Sequence, residues 1–216
     1  MEKNPDCPTM HGMFNAANKL TLFRILVIPA MVMVYYSPFS WRFFAAGLLF
    51  SLAAITDFLD GYVARKYDQA TPFGAFLDPV ADKLIVAAAL CVLIQAHNSL
   101  WFTVPAIVIV GREIVISALR EWMAELGVRS TVAVSAIGKV KTTFQMIAII
   151  VLLVFPPDWD YKLTVVGFIA LYIAAGLTLY SMIIYLKAAW PELLPEPNPK
   201  VVERVPEAKT LAKKPE

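Results

Sequence analysis

The sequence predicts an all-α integral membrane protein of six transmembrane helices, with both termini cytoplasmic and a polar cavity at the cytoplasmic side. Three observations carry this. Of 216 residues 59% are hydrophobic and 17% charged, against roughly a quarter charged in soluble proteins, and the apolar residues come in long runs. The Lys and Arg residues are distributed unevenly about those runs. Four aspartates, Asp57, Asp60, Asp78 and Asp82, stand at helical spacing where the second run ends and the third begins.

The runs cover approximately 20–37, 43–64, 79–97, 101–120, 142–156 and 162–187, each near the ~20 residues that a bilayer-spanning helix needs. Pro29 is tolerable in the first, because neighbouring helices can satisfy the carbonyl it frees. The fifth is short and is expected to begin earlier, near Gly138. With the N-terminus cytoplasmic, the outer loops are 38–42, 98–100 and 157–161, and all of the 19 basic residues except Arg42 and Lys162 fall on the inner side. That asymmetry sets the orientation. Trp41, Trp101 and Trp159 then lie at the outer edges and Trp122 and Trp190 at the inner ones, as interfacial aromatics do. Small residues, among them Gly47, Ala53, Ala54 and the Ala174-Ala175-Gly176 group, allow close helix packing.

The expected organisation is a cytoplasmic N-terminal segment over 1–19, one six-helix domain over 20–187 and a Pro- and charge-rich cytoplasmic tail over 188–216. The tail has too little apolar surface to offset the entropy of ordering it. The first run lacks a convincing cleavage site and reads as a retained span, not a removed signal peptide. Cys7 and Cys91 suggest neither a disulfide framework nor a zinc site, and Cys91 is expected to be a small buried hydrophobe. His11 and His97 are single and need no catalytic role.

A carboxylate at membrane depth is expensive unless compensated. Asp57, Asp60, Gly61 and Ala64 share one helix face, and Gly74, Asp78 and Asp82 repeat the arrangement on the next helix. The two helices, joined by a short loop, are antiparallel neighbours, so the acidic faces converge. Four converging carboxylates would raise one another's pKa. Two divalent cations between them remove that conflict, and an all-oxygen site suits Mg²⁺ or Mn²⁺. Gly61 permits close approach of a ligand, and Arg65, one turn on, can fork onto a phosphate. The residues between 111 and 145 form a second unusual cluster. Arg112, Glu113, Arg120, Lys139 and Lys141 sit at the ends of the fourth and fifth spans, where Arg112, Lys139 and Lys141, with Arg120, can seat a second anion. Glu113 would orient an arginine, and Arg129 is better explained as an inner-side anchor.

The stretch "DFLDGYVARKYDQATPFGAFLDPVAD" resembles the signature of the CDP-alcohol phosphotransferase family, D-x2-D-G-x2-A-R-x8-G-x3-D-x3-D, at every fixed position. "NKLTLFRILVIPAMV" and "GREIVISALREWMAELGVRSTVAVSAIGKVKTTFQM" extend the likeness toward members that use glycerol 3-phosphate, over roughly residues 15 to 187. The resemblance implies transfer of a phosphatidyl group from CDP-diacylglycerol to glycerol 3-phosphate, with release of CMP. It assigns Asp57, Asp60, Asp78 and Asp82 to two cations, with Asp82 also taking the acceptor's proton. It places Gly61, Ala64, Arg65, Thr71, Gly74, Asn18 and Thr21 around CDP-diacylglycerol, and Arg112, Lys139, Lys141 and Arg120 around the acceptor's phosphate. Arg24 belongs to the same entry segment, and either approaches the diphosphate or snorkels to headgroups. The resemblance further implies a multi-pass protein of the bacterial cytoplasmic membrane, a homodimer among membrane lipid, with no nucleic-acid partner. Other acceptors, inositol phosphate or phosphatidylglycerol, remain alternatives, as does a divalent-cation transporter. A transporter would instead place acids near the bilayer midplane of several spans.

Overall fold

The runs of Leu, Ile, Val, Ala and Phe fold as helices wherever the computed structural model describes the chain. Backbone is described for residues 16–67, 72–125, 136–158 and 162–193, and side chains for these except 16–19, 57–67, 72–73, 75, 136–139 and 191–193. The order is α1 (Ala16–Tyr35), α2 (Arg42–Tyr67), α3 (Pro72–His97), α4 (Leu100–Glu125), α5 (Ala136–Val154) and α6 (Lys162–Leu193). Among the described residues no strand occurs.

A helix overlaps each of the six apolar runs, and most of these helices are longer than their runs. α2 continues to Tyr67, α3 begins at Pro72 rather than near 79, and α6 reaches Leu193, inside the segment expected to be tail. Hydropathy sees only the apolar portion of a helix, and the inner ends here carry charged residues. Pro72 suits a first helical position, where no backbone N–H is needed. Pro79 and Pro105 lie inside α3 and α4. The α3–α4 link is a two-residue turn, in which Asn98 takes φ 40°, a left-handed conformation that Asn tolerates. Its amide still bonds the Ile94 carbonyl at 3.0 Å, and the Ser99 carbonyl receives the amides of Phe102 and Thr103 at 3.0 and 2.9 Å.

The core draws on all six helices. Met31, Ala46, Phe50, Leu90, Leu93, Phe102, Ile109, Ile149, Leu152 and Leu171 are buried there. Two glycines set its tightest contacts. A Cβ on Gly47 would stand 2.3 Å from Val154 Cγ2, and one on Gly167 would stand 2.6 Å from Leu152 Cγ. α5 is therefore gripped by α2 on one side and α6 on the other. Ala174 and Ala175 are buried, whereas a Cβ on Gly176 would meet nothing within 4 Å. Cys91 departs from expectation. It is exposed, because it shares the outward face of α3 with Leu84 and Gln95, while Ala89, Leu90, Val92 and Leu93 turn inward.

The distribution of polarity is inverted relative to a water-soluble bundle. Leu26, Met33, Ile107, Ile114, Ile169 and Ile183 face outward, while Thr21, Arg24, Arg112, Lys141, Gln145 and Ser181 are buried. An outer surface this apolar calls for lipid around it. α4 and residues 162–190 of α6 are each long and apolar enough to cross a membrane, and α1, α2 and α5 contribute shorter apolar lengths. Trp41, Trp101 and Trp190 are exposed near helix ends.

Candidate active site

α1 packs against both α2 and α3, and α5 packs against both from another side, while α2 and α3 touch each other least of all the packed pairs. The two helices that carry the aspartates are thus neighbours held apart. Between them lies a cavity of about 720 Å³. Its apolar part comes from Phe50, Ala53 and Ala54 of α2, Ile85 and Val86 of α3, and Met146, Ile147 and Ile150 of α5. Its polar part comes from Arg24, Asp78, Asp82, Lys83, Glu113, Thr142, Thr143 and Gln145.

Asp78 and Asp82 reach this wall because α3 presents positions four apart on one face, with buried Gly74 one turn before Asp78. Each carboxylate has a partner on α1. Thr21 Oγ1 donates to Asp78, and Arg24 Nη1 is ion-paired with Asp82. Arg24 is 1% exposed and Asp82 44%. A guanidinium so deeply buried is not at the headgroups, and the snorkelling alternative is set aside. Its carboxylate partner is what makes the burial tolerable. On α2, Ala46, Phe50 and Ala53 form the inward face, and positions 57 and 60 continue the same alternation of four and three along the helix. The side chains of Asp57, Asp60, Gly61, Ala64 and Arg65, and of Asn18, lie outside the described residues, as does all of Thr71.

The second cluster joins α4, α5 and α6. Glu113 Oε1 accepts from Arg112 Nη1 at 3.1 Å and from Lys141 Nζ. Arg112 Nη2 donates to Ser181 Oγ at 2.9 Å, and Ser181 donates to the Thr178 carbonyl at 2.9 Å. Arg120 Nη2 donates to the Tyr185 hydroxyl at 2.8 Å, with its guanidinium 4.9 Å from the ring centroid. The expected cations are therefore brought together in part. Arg112 and Lys141 are 8% and 2% exposed and share one carboxylate. They sit behind the cavity wall, on which Glu113 shows. Arg120 is exposed and turned toward α6. Lys139 lies in the first turn of α5, with its side chain outside the described residues.

Several residues of the wall and of the cluster behind it carry no distinguishing signal in the sequence pattern above. Lys83 directly follows Asp82, lines the cavity and donates to Ser117 Oγ on α4. By sequence alone it is one more basic residue on the expected inner side. Thr178, Ser181 and Tyr185 recur at three and four residues, a polar stripe along an otherwise apolar helix that was legible in principle. Gln145 follows Lys141 by one turn and is buried on the wall.

As a cation site the arrangement offers oxygen donors only. Among the described residues no three His, Cys, Asp or Glu side chains gather closely enough to hold a metal. Asp78 and Asp82 supply two carboxylates on one helix face, and positions 57 and 60 lie along α2 in register with Phe50 and Ala53, which line the same cavity. The donor chemistry fits hard divalent cations.

Residues 14–180 match the family model described as CDP-alcohol phosphatidyltransferase. The chain is 54% identical over 182 residues to the CDP-diacylglycerol–glycerol-3-phosphate 3-phosphatidyltransferase of Escherichia coli strain K12, covering 84% of this chain and 98% of that one. It is 53% identical over 180 residues to the protein of the same description from Pseudomonas fluorescens, covering 83% and 92%. A Shigella flexneri relative so described is 54% identical over 182 residues.

Proposed function

The chain belongs to the CDP-alcohol phosphatidyltransferase family, and from that premise we propose that it transfers the phosphatidyl group of CDP-diacylglycerol to glycerol 3-phosphate. The products are phosphatidylglycerophosphate and CMP, which makes the protein an enzyme of phospholipid biosynthesis. The observation that carries the reading is the pair of carboxylates, Asp78 and Asp82, on the wall of an interior cavity in a lipid-facing bundle. A second cluster of buried cations lies behind the adjoining wall. The similarity to relatives so described supports the choice of substrates.

In this reading Asp57, Asp60, Asp78 and Asp82 hold two divalent cations, Mg²⁺ or Mn²⁺. Bound there, such cations neutralise a pyrophosphate and stabilise attacking and leaving oxygens together. Asn18, Thr21, Gly61, Ala64, Thr71 and Gly74 surround CDP-diacylglycerol, and Arg65 forks onto its pyrophosphate. Arg112, Lys139 and Lys141, with Arg120, seat the phosphate of the acceptor. The acceptor's hydroxyl oxygen forms a bond to the phosphorus that bears diacylglycerol, the bond from that phosphorus to the CMP oxygen breaks, and Asp82 receives the hydroxyl proton. Positioning and fixed charge supply most of the acceleration.

The bundle crosses the cytoplasmic membrane of a bacterium six times with both termini inside, and places the cavity at the inner face. The positive-inside asymmetry supports that orientation. Residues 1–19 and 188–216 flank the six-helix domain as cytoplasmic segments. The working unit is a homodimer, a reading supported by the open apolar surface around Gly176 on α6. CMP release from CDP-diacylglycerol, measured in detergent micelles with four acceptors offered singly, tests the function. Turnover is expected with glycerol 3-phosphate, and not with serine, inositol phosphate or phosphatidylglycerol. Turnover with one of those three and none with glycerol 3-phosphate would overturn it.

A further inference from the structure

Two cations line the cavity among the described residues, Arg24 and Lys83. Arg24 is committed to Asp82. Lys83 has no carboxylate partner among the described residues and donates to a neutral hydroxyl, Ser117 Oγ. An ammonium placed at membrane depth against a neutral partner leaves its charge uncompensated, an expensive arrangement. The bonding to α4 also fixes which wall it serves. Ser117 lies one turn after Glu113 on the same helix, so Lys83 stands on the side of the Glu113–Arg112–Lys141 cluster and away from α1.

The buried part of that cluster leaves room for a further cation. Among the described residues Arg112 and Lys141 share Glu113, so the three together keep a net charge of +1, whereas a phosphate monoester carries about −1.5 to −2 near neutral pH. Glu113, not its two partners, faces the cavity, so a phosphate arriving from the cavity meets an anion first. We propose that Lys83 receives the phosphate of the acceptor on the cavity wall, exchanging its bond to Ser117 for a charge-assisted one to phosphate oxygen. Lys83 then works beside Arg112 and Lys141 as a specificity-determining residue for a phosphorylated alcohol over a neutral one. This rests on the glycerol 3-phosphate reading above.

The test compares Lys83→Gln, Lys83→Arg and Ser117→Ala with the unaltered full chain in micelles, each substrate varied in turn. Loss of one charge-assisted contact predicts a rise in the glycerol 3-phosphate KM of about 10- to 100-fold in Lys83→Gln. The CDP-diacylglycerol KM should stay within about twofold, and Lys83→Arg should recover part of the loss. Ser117→Ala should behave like the unaltered protein, because the hydroxyl only parks the lysine. Glycerol 3-phosphate alone should raise the melting temperature of the unaltered protein and lose that effect in Lys83→Gln. Three results would overturn the assignment: a Ser117→Ala defect equal to that of Lys83→Gln, which marks a structural tie; a shift in the CDP-diacylglycerol KM instead; or an unchanged acceptor KM in Lys83→Gln. Failure of the unaltered protein to use glycerol 3-phosphate at all is a separate result, and would remove the functional reading itself.

Discussion

The two polar walls of the cavity solve the same problem with opposite remainders. On the α1–α3 side, Arg24 meets Asp82 and Thr21 meets Asp78, so among the described residues of these two helices the paired groups are two carboxylates and one cation. On the α4–α5–α6 side, Arg112 and Lys141 share Glu113, so among the described residues the paired groups are two cations and one carboxylate. Neither wall is neutral on its own. A surplus of carboxylate oxygen suits divalent cations and the pyrophosphate they carry, while a surplus of nitrogen suits a phosphate anion. In a medium of low dielectric each excess is costly until its ligand arrives. In the proposed function this distribution of charge sorts the two substrates before any shape is considered.

The sharpest break of this comparison is on the acidic wall. Asp78→Asn and Asp82→Asn each remove a charge that cation clamping needs, worth several kcal/mol of transition-state stabilisation. CMP release should fall by about a thousandfold or more, with the protein still inserted and folded. Full activity of either variant at saturating Mg²⁺ and Mn²⁺ would dissolve the distinction between the walls. On the basic wall a smaller effect of a different kind is expected. Arg112→Gln or Lys141→Gln removes one charge-assisted contact, which corresponds to about a 10- to 150-fold loss in efficiency toward glycerol 3-phosphate. The loss should fall on the acceptor KM, with the CDP-diacylglycerol KM nearly unchanged. A shift confined to CDP-diacylglycerol would mean that the two walls serve the opposite substrates. The smallest effect belongs to Arg120→Gln. Arg120 is exposed and engaged with Tyr185, so screening by water should hold its change in acceptor KM to about fivefold or less. An effect as large as that of Lys141→Gln would make Arg120 as central to the seat as Lys141.

The sequence made the helices and the acidic wall readable for a simple reason, which is that both are local. Apolar runs and aspartates at three and four residues are written within one or two helices. The partners of those aspartates are not. Arg24 lies 58 residues from Asp82, and nothing in either segment distinguishes an arginine bound for a carboxylate from one bound for a headgroup. The relation between α2 and α3 was similarly hidden. A short loop guarantees that two helices are near each other, but not that α1 and α5 hold them apart. The basic wall was legible as a cluster of residue types, yet its order in depth was not. Whether Glu113 or its cations show to the cavity depends on the rotation of α4 against α5 and α6. Lys83 was overlooked because a basic residue on the inner side already had a sufficient explanation in membrane orientation.

Gly47 and Gly167 hold the C-terminal end of α5 through Val154 and Leu152 contacts, and this makes the helix a lever. Its fulcrum is at the Val154 end, and its load, Lys141, is carried near the other. The arm from Val154 to Lys141 is about 20 Å. Over that length, a tilt of about 3° displaces the lysine by about 1 Å, an error on the scale that costs roughly a hundredfold in rate. The position of Lys141 is thus set by two hydrogen atoms in place of methyl groups at the opposite end of the helix.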